Sequence, residues 1–196
     1  MTRNAAPLPR LMVVADVDLA GGRLPAIVAA AVDHGARAVV LRARETPPAK
    51  QFVLASMAWR ALEPVGGLLI VAGSGGEAVH LSSQQEFPEP RPSLVGRSCH
   101  TAAEVDRAVA ERCDYAFVSP VYPTASKPGY GPALGPQGLA ALCRPGLPVY
   151  ALGGVLPEHV AECVRAGAYG IAVMGPVLRD PSVVSTYLAA LLEVST

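Results

Sequence analysis

Eight short apolar runs, most of them followed by a segment of helical period, constrain this chain more than any other feature. The runs are LMVVADV (11–17), AVVLRAR (38–44), LLIVAG (68–73), AVHLS (78–82), LVGRSCH (94–100), YAFVSPV (115–121), PVYALGG (148–154) and GIAVMG (170–175). Between them, LPAIVAAAVDHGA, PAKQFVLASMAWRALE, AAEVDRAVAERC, LGPQGLAALC, PEHVAECVRAGA and, last, SVVSTYLAALLEV carry apolar residues at helical spacing. Strands that are apolar on both faces and joined by helices belong in a parallel sheet covered on both sides. Eight of them in one domain, residues 1–196, predict a (β/α)8 TIM barrel, with a doubly wound open sheet as the competing architecture. One repeat is cut short. Only SGGE separates the third and fourth runs, well below the dozen or so residues of a parallel crossover. The polar, proline-rich QQEFPEPRPS then puts a loop where the fourth helix would be. The prediction is a barrel trimmed around its third and fourth strands and complete in its second half.

Composition narrows the function. Of 196 residues, 51% are apolar and 16% charged, a balance that supports a buried core and not disorder. Sixteen basic and sixteen acidic residues cancel, so there is no broad positive field for nucleic acid, and any anionic ligand must be held by local groups. No apolar run reaches the roughly 18 to 20 residues of a membrane span. The start, MTRNAAPLPRLMVVADV, runs into a strand without the layout of a signal peptide. Cys99, Cys113, Cys143 and Cys163 show neither CxxC nor metal spacing, which points to reduced thiols in a cytoplasm. The expected partner is a small molecule, with self-association left open.

In such a barrel the chemistry sits where the strands end. FVSPVYPTASKPGYG (117–131) ends a buried strand in Thr124, Ser126 and Lys127, all donors, on a loop stiffened by prolines. An anionic ligand would explain them. ALGGV and VMGPV follow the last two strands, where barrels of this class build phosphate sites from backbone amides. Gly153, Gly154, Met174 and Gly175 are the candidates, with a tight turn as the plainer reading of the two adjacent glycines. Arg42 and Arg44 alternate with Ala43 and point the same way. They await either an anion or an ion pair with Asp16 or Glu45. Ser98 and His100 share one alternation at the end of the fifth run. His100 is a candidate acid or base, against a structural role. His80 reads as an interior residue, and His34 and His159 as surface groups. No Ser/His/Asp triad, Walker loop or HExxH motif is present.

In order along the chain, AVVLRARE, VHLSSQ, VGRSCH, VSPVYPTASKPGYGPALG, VYALGGV and AGAYGIAVMGPV resemble the thiamine phosphate synthase and TenI superfamily. That resemblance implies a (β/α)8 barrel and a phosphorylated thiazole as ligand. In the synthase branch a pyrimidine diphosphate is joined to a thiazole phosphate, with magnesium holding the diphosphate. The resemblance then places Arg42, Arg44, Thr124, Ser126 and Lys127 at the diphosphate, Ser98 at the pyrimidine, and Gly154, Met174 and Gly175 at the thiazole phosphate. The departures are equally specific. Where synthases carry an Asn-Asp-Arg stretch this chain has AGSGG, and where they carry Gly-Gln-x-Asp it has Ser82, Ser83, Gln84 and Gln85. Val40 replaces a glutamine before the first arginine. Magnesium takes hard oxygen ligands, usually one or two carboxylates with phosphate, so no cofactor is expected, and efficient magnesium-dependent synthesis is not. The expectation is therefore a thiazole tautomerase of the TenI type, with His100, Ser119 and Lys127 as candidate proton carriers. Ser119 stands where that branch can use a histidine. A synthase and a non-catalytic binding protein are the alternatives.

Overall fold

Eight parallel strands close on themselves in chain order: β1 (Leu11–Asp16), β2 (Ala38–Arg42), β3 (Leu68–Ala72), β4 (Ala78–Leu81), β5 (Leu94–Cys99), β6 (Tyr115–Val118), β7 (Val149–Ala151) and β8 (Gly170–Val173). The computed structural model describes residues 7–73, 75–124 and 132–194. The closing seam pairs Leu11, Met12 and Val13 of β1 with Ile171, Ala172 and Val173 of β8. The open-sheet alternative is thereby excluded.

Alternation along each strand sorts the apolar residues into two layers. Met12, Val14, Ala38, Val40, Ile70, Tyr115, Phe117, Tyr150 and Ala172 fill the barrel interior. Their neighbours, among them Val13, Val39, Val79, Val118 and Ile171, pack outward against the helices. Bulk inside is uneven: Tyr115, Phe117 and Tyr150 on β6 and β7 face small residues on β2 and β8. The N-terminal end is plugged by the chain itself, since the Tyr150 and Tyr169 hydroxyls donate to the carbonyls of Pro9 and Leu8. The opposite end stays open.

The helices begin where the sequence offers a start signal. Asp16 ends β1 and caps α1 (Val17–Ala20), accepting from the amides of Asp18 and Leu19. Prolines stand in the first turn of α2 (Leu24–Asp33) and α3 (Pro48–Leu62). Thr101 caps α4 (Ala102–Ala110). After α5 (Gly135–Leu142) come α6 (Val160–Arg165), α7 (Gly175–Arg179) and α8 (Val183–Glu193). Among the described residues no helix is long and apolar enough to cross a membrane.

The trimmed region is as expected, and its geometry shows how so short a link suffices. The register sets Val71 beside Val79 and Ala72 beside His80. β4 thus starts near the top of β3, and the chain has almost no distance to descend. No helix lies between β4 and β5. The loop there packs Phe87 onto the outer core layer and buries Pro92.

Candidate active site

A cavity of about 680 Å³ opens at the C-terminal ends of the strands, within the size range of small-molecule sites. It brings together Arg42, Arg44, Ser98, His100, Ser119, Thr124, Gly153, Gly154, Met174 and Gly175. Ser126 and Lys127 lie outside the described residues.

The two arginines differ in electrical state. Arg42 is ion-paired with Asp16, which is fully buried. Of the alternatives open from the sequence, its partner is Asp16 and not Glu45. Burial, helped by the charge of Arg44, lowers the Arg42 pKa. Arg44 lines the same cavity and has no counter-ion among the described residues. Arg179, at the end of α7, is a second such cation on the cavity wall. Sequence reasoning missed it, because a basic residue in the last turn of a helix ordinarily reads as a complement to the helix dipole.

His100 follows β5, and its backbone N–H donates to the Glu104 carboxylate at 2.6 Å. Its Nδ1 is 2.7 Å from the Ser119 carbonyl oxygen and 3.4 Å from Ser119 Oγ. A carbonyl only accepts, so Nδ1 carries the proton and Nε2 is the basic nitrogen of the neutral ring. The geometry thus allows a base at the cavity while tying the ring to Ser119.

Gly154 has a structural duty that is visible without any ligand. Its φ is +66°, and a Cβ there would lie 2.3 Å from the Pro123 carbonyl oxygen. The loop after β7 is nested against residues 121–123, with Val121 N–H donating to the Leu152 carbonyl and Tyr122 N–H to that of Gly153. Tyr122 is held in turn, its ring 4.0 Å from that of His159 and its hydroxyl donating to Glu162 at 2.6 Å.

The wall above β4 is formed by Ser82, Ser83, Gln84 and Gln85. Beneath it lies Arg97, with no exposed surface, donating to the carbonyls of Ser82 and Gln85 at 2.8 Å each. Glu111 bridges Arg97 at 2.5 Å and Arg107 at 2.7 Å, and Arg107 reaches the carbonyls of Ser83 and Gln85. The loop carbonyls therefore face the guanidiniums.

This arrangement bears on magnesium. No Asp or Glu is among the described residues that line the cavity, and no group of three His, Cys, Asp or Glu among the described residues is placed to hold a metal. Asp16 is engaged by Arg42 and two amides. Neutral serine and glutamine side chains do not fit the hard, anionic donor set that magnesium takes from a protein.

The profile of a family described as thiamine monophosphate synthase matches residues 11–177 of this chain. A protein of Geobacter sulfurreducens is 33% identical over 187 residues, 87% of each chain. The thiamine-phosphate synthase of Methanoregula boonei is 32% identical over 190 residues, covering 89% of this chain and 88% of that one. Among solved structures, a thiamine phosphate pyrophosphorylase from Pyrococcus furiosus superposes with a TM-score of 0.80 at 21% identity, covering 95% of this chain and 97% of that one. At that identity the likeness is one of fold.

Proposed function

The chain belongs to the thiamine monophosphate synthase family, and from that premise we propose that it is a transferase of thiamine biosynthesis, joining a pyrimidine diphosphate to a thiazole phosphate. The observation that carries this reading is the pair of guanidiniums on one cavity, Arg44 after β2 and Arg179 on α7, that have no counter-ion among the described residues. Two cations carried by different elements suit two phosphorylated substrates. A relative that bears the synthase name and matches nearly end to end supports the same reading, and the tautomerase expectation gives way to it.

In this scheme Arg44 meets the diphosphate, with Arg42 beside it held in place by Asp16. As the bond to the diphosphate breaks, negative charge grows on its oxygens, and fixed cations in a partly enclosed site stabilise it. Arg179 meets the thiazole phosphate. Ser98 orients the pyrimidine. No step runs through a metal, because the cavity's donors do not fit one.

Steady-state kinetics test the assignment. Arg44→Ala raises KM for the pyrimidine diphosphate and Arg179→Ala raises KM for the thiazole phosphate, each about tenfold, as for loss of one charged hydrogen bond. Equal effects of both variants on both substrates would remove the two-pole scheme.

One observation favours a second reading. His100 lines the cavity with its ring held at Nδ1 by Ser119, and a thiazole tautomerase requires a positioned proton carrier of that kind. Conversion of the thiazole tautomer by wild type, lost in His100→Gln, would support it.

A further inference from the structure

His80 takes no part in the scheme above, yet it lines the cavity with both ring nitrogens engaged. It is 7% exposed, and its ring centre is 4.2 Å from that of Phe117. Nδ1 lies 3.0 Å from the Tyr115 hydroxyl and Nε2 lies 2.9 Å from Ser98 Oγ. Burial, reinforced by the nearby charge of Arg97, pushes the imidazole pKa down to about 3. The ring is therefore neutral near neutral pH, with one nitrogen donating and the other accepting.

Tyr115 decides which. Its ring is fully buried and lies so close over Gly96 that a Cβ there would come within 2.0 Å of it. Among the described residues its hydroxyl has His80 as its hydrogen-bond partner. A phenolic hydrogen sealed in the core without an acceptor is strongly unfavourable. Nδ1 must then accept it, so the ring proton resides on Nε2 and is donated to Ser98 Oγ. That leaves the Ser98 hydroxyl hydrogen for the cavity, which Ser98 lines.

We propose that Tyr115 and His80 are positioning residues that fix Ser98 as a hydrogen-bond donor into the cavity, selecting ligands that present an unprotonated ring nitrogen there. The opposite polarity, with Ser98 donating to His80, would present lone pairs and select an amino group. This inference deepens the proposed function and rests on its reading of the cavity as a heteroaromatic site.

Two measurements separate the inference from that reading. Long-range ¹H–¹⁵N spectra of the ligand-free protein report the His80 tautomer directly. The expected result is a protonated Nε2 and an unprotonated Nδ1; a protonated Nδ1, or an imidazolium at pH 7, overturns the proposal whatever the ligand is. Affinity is then compared for a pyrimidine diphosphate and for its pyridine counterparts, each lacking one ring nitrogen. One pyridine should bind about tenfold more weakly to wild type, and should bind Ser98→Ala as well as the pyrimidine does. Equal binding of all three by wild type, with the expected tautomer, overturns the selection while leaving the relay intact. Failure of every one of these probes to bind counts instead against the proposed function, and the tautomer still decides the relay. Tyr115→Phe, checked for unchanged unfolding, should give a mixture of tautomers.

Discussion

Arg97, beneath the 82–85 loop, and His80, on the lining of the cavity, are both buried, and both make measurable demands on stability. Arg97 is wholly buried and spans the carbonyls of Ser82, Ser83 and Gln85 and the carboxylate of Glu111. Arg97→Ala removes the guanidinium from those carbonyls and leaves Glu111 with only Arg107, so urea unfolding should show a loss of about 3 kcal/mol. A loss below about 1 kcal/mol would mean that the loop is held by something else. His80 acts through pH. With a folded pKa near 3 and an ordinary value of 6.5, the unfolded chain binds a proton in that window that the folded chain refuses. Stability therefore falls as pH drops below about 6.5, and this residue alone contributes a loss of about 2 kcal/mol between pH 7 and pH 5. Unfolding of wild type and His80→Gln at the two pH values isolates that share, and an equal decline in both would contradict it. Neither demand could be read from sequence. Arg97 looks like any strand charge until the 82–85 loop and Glu111 are seen to engage it, and Tyr115 is 35 residues from the histidine it orients.

Among the elements, the loop after β7 is where sequence and structure inform each other most. Paired glycines at 153 and 154 mark a special backbone, with phosphate and tight turn as competing explanations. The structure supplies a reason independent of any ligand: at Gly154 a Cβ would strike the Pro123 carbonyl oxygen. Gly154→Ala should displace residues 121–124 and cost about 2 kcal/mol, measurable by thermal unfolding and by a crystal structure of the variant. An unchanged loop would refute the steric account. The trimmed β3–β4 link was legible because SGGE is too short for any crossover helix. Strand ends were not: the run 148–154 yields only Val149–Ala151 as strand, since apolar pattern continues into the glycine turn while pairing does not. The long helix α3 exposes Phe52, Val53, Met57 and Trp59. Phe52 is 75% exposed, so Phe52→Ser should change stability by less than about 0.5 kcal/mol in urea. A larger loss would reveal a partner surface.

For the molecule as a whole, the barrel and most of its candidate residues followed from the order of runs and from the rule that strand ends carry the chemistry. Ten of the positions so chosen line one cavity: Arg42, Arg44, Ser98, His100, Ser119, Thr124, Gly153, Gly154, Met174 and Gly175. What escaped is the pairing of charges. Sequence cannot say that Asp16 neutralises Arg42 while Arg44 and Arg179 have no counter-ion among the described residues, because those relations depend on which strands become neighbours. The lack of carboxylates, by contrast, was plain in Ser82 to Gln85, and those four residues line the cavity. The central claim is that this cavity joins two phosphorylated substrates with guanidiniums, not a protein-held metal, meeting the diphosphate. Incubating the protein with the pyrimidine diphosphate and the thiazole phosphate, with and without a chelator, tests it most directly. The account predicts thiamine phosphate and free diphosphate in equal amounts, at a rate below about 1 per second that the chelator leaves within about a factor of two. No product at saturating substrate, or product that the chelator abolishes, would contradict it.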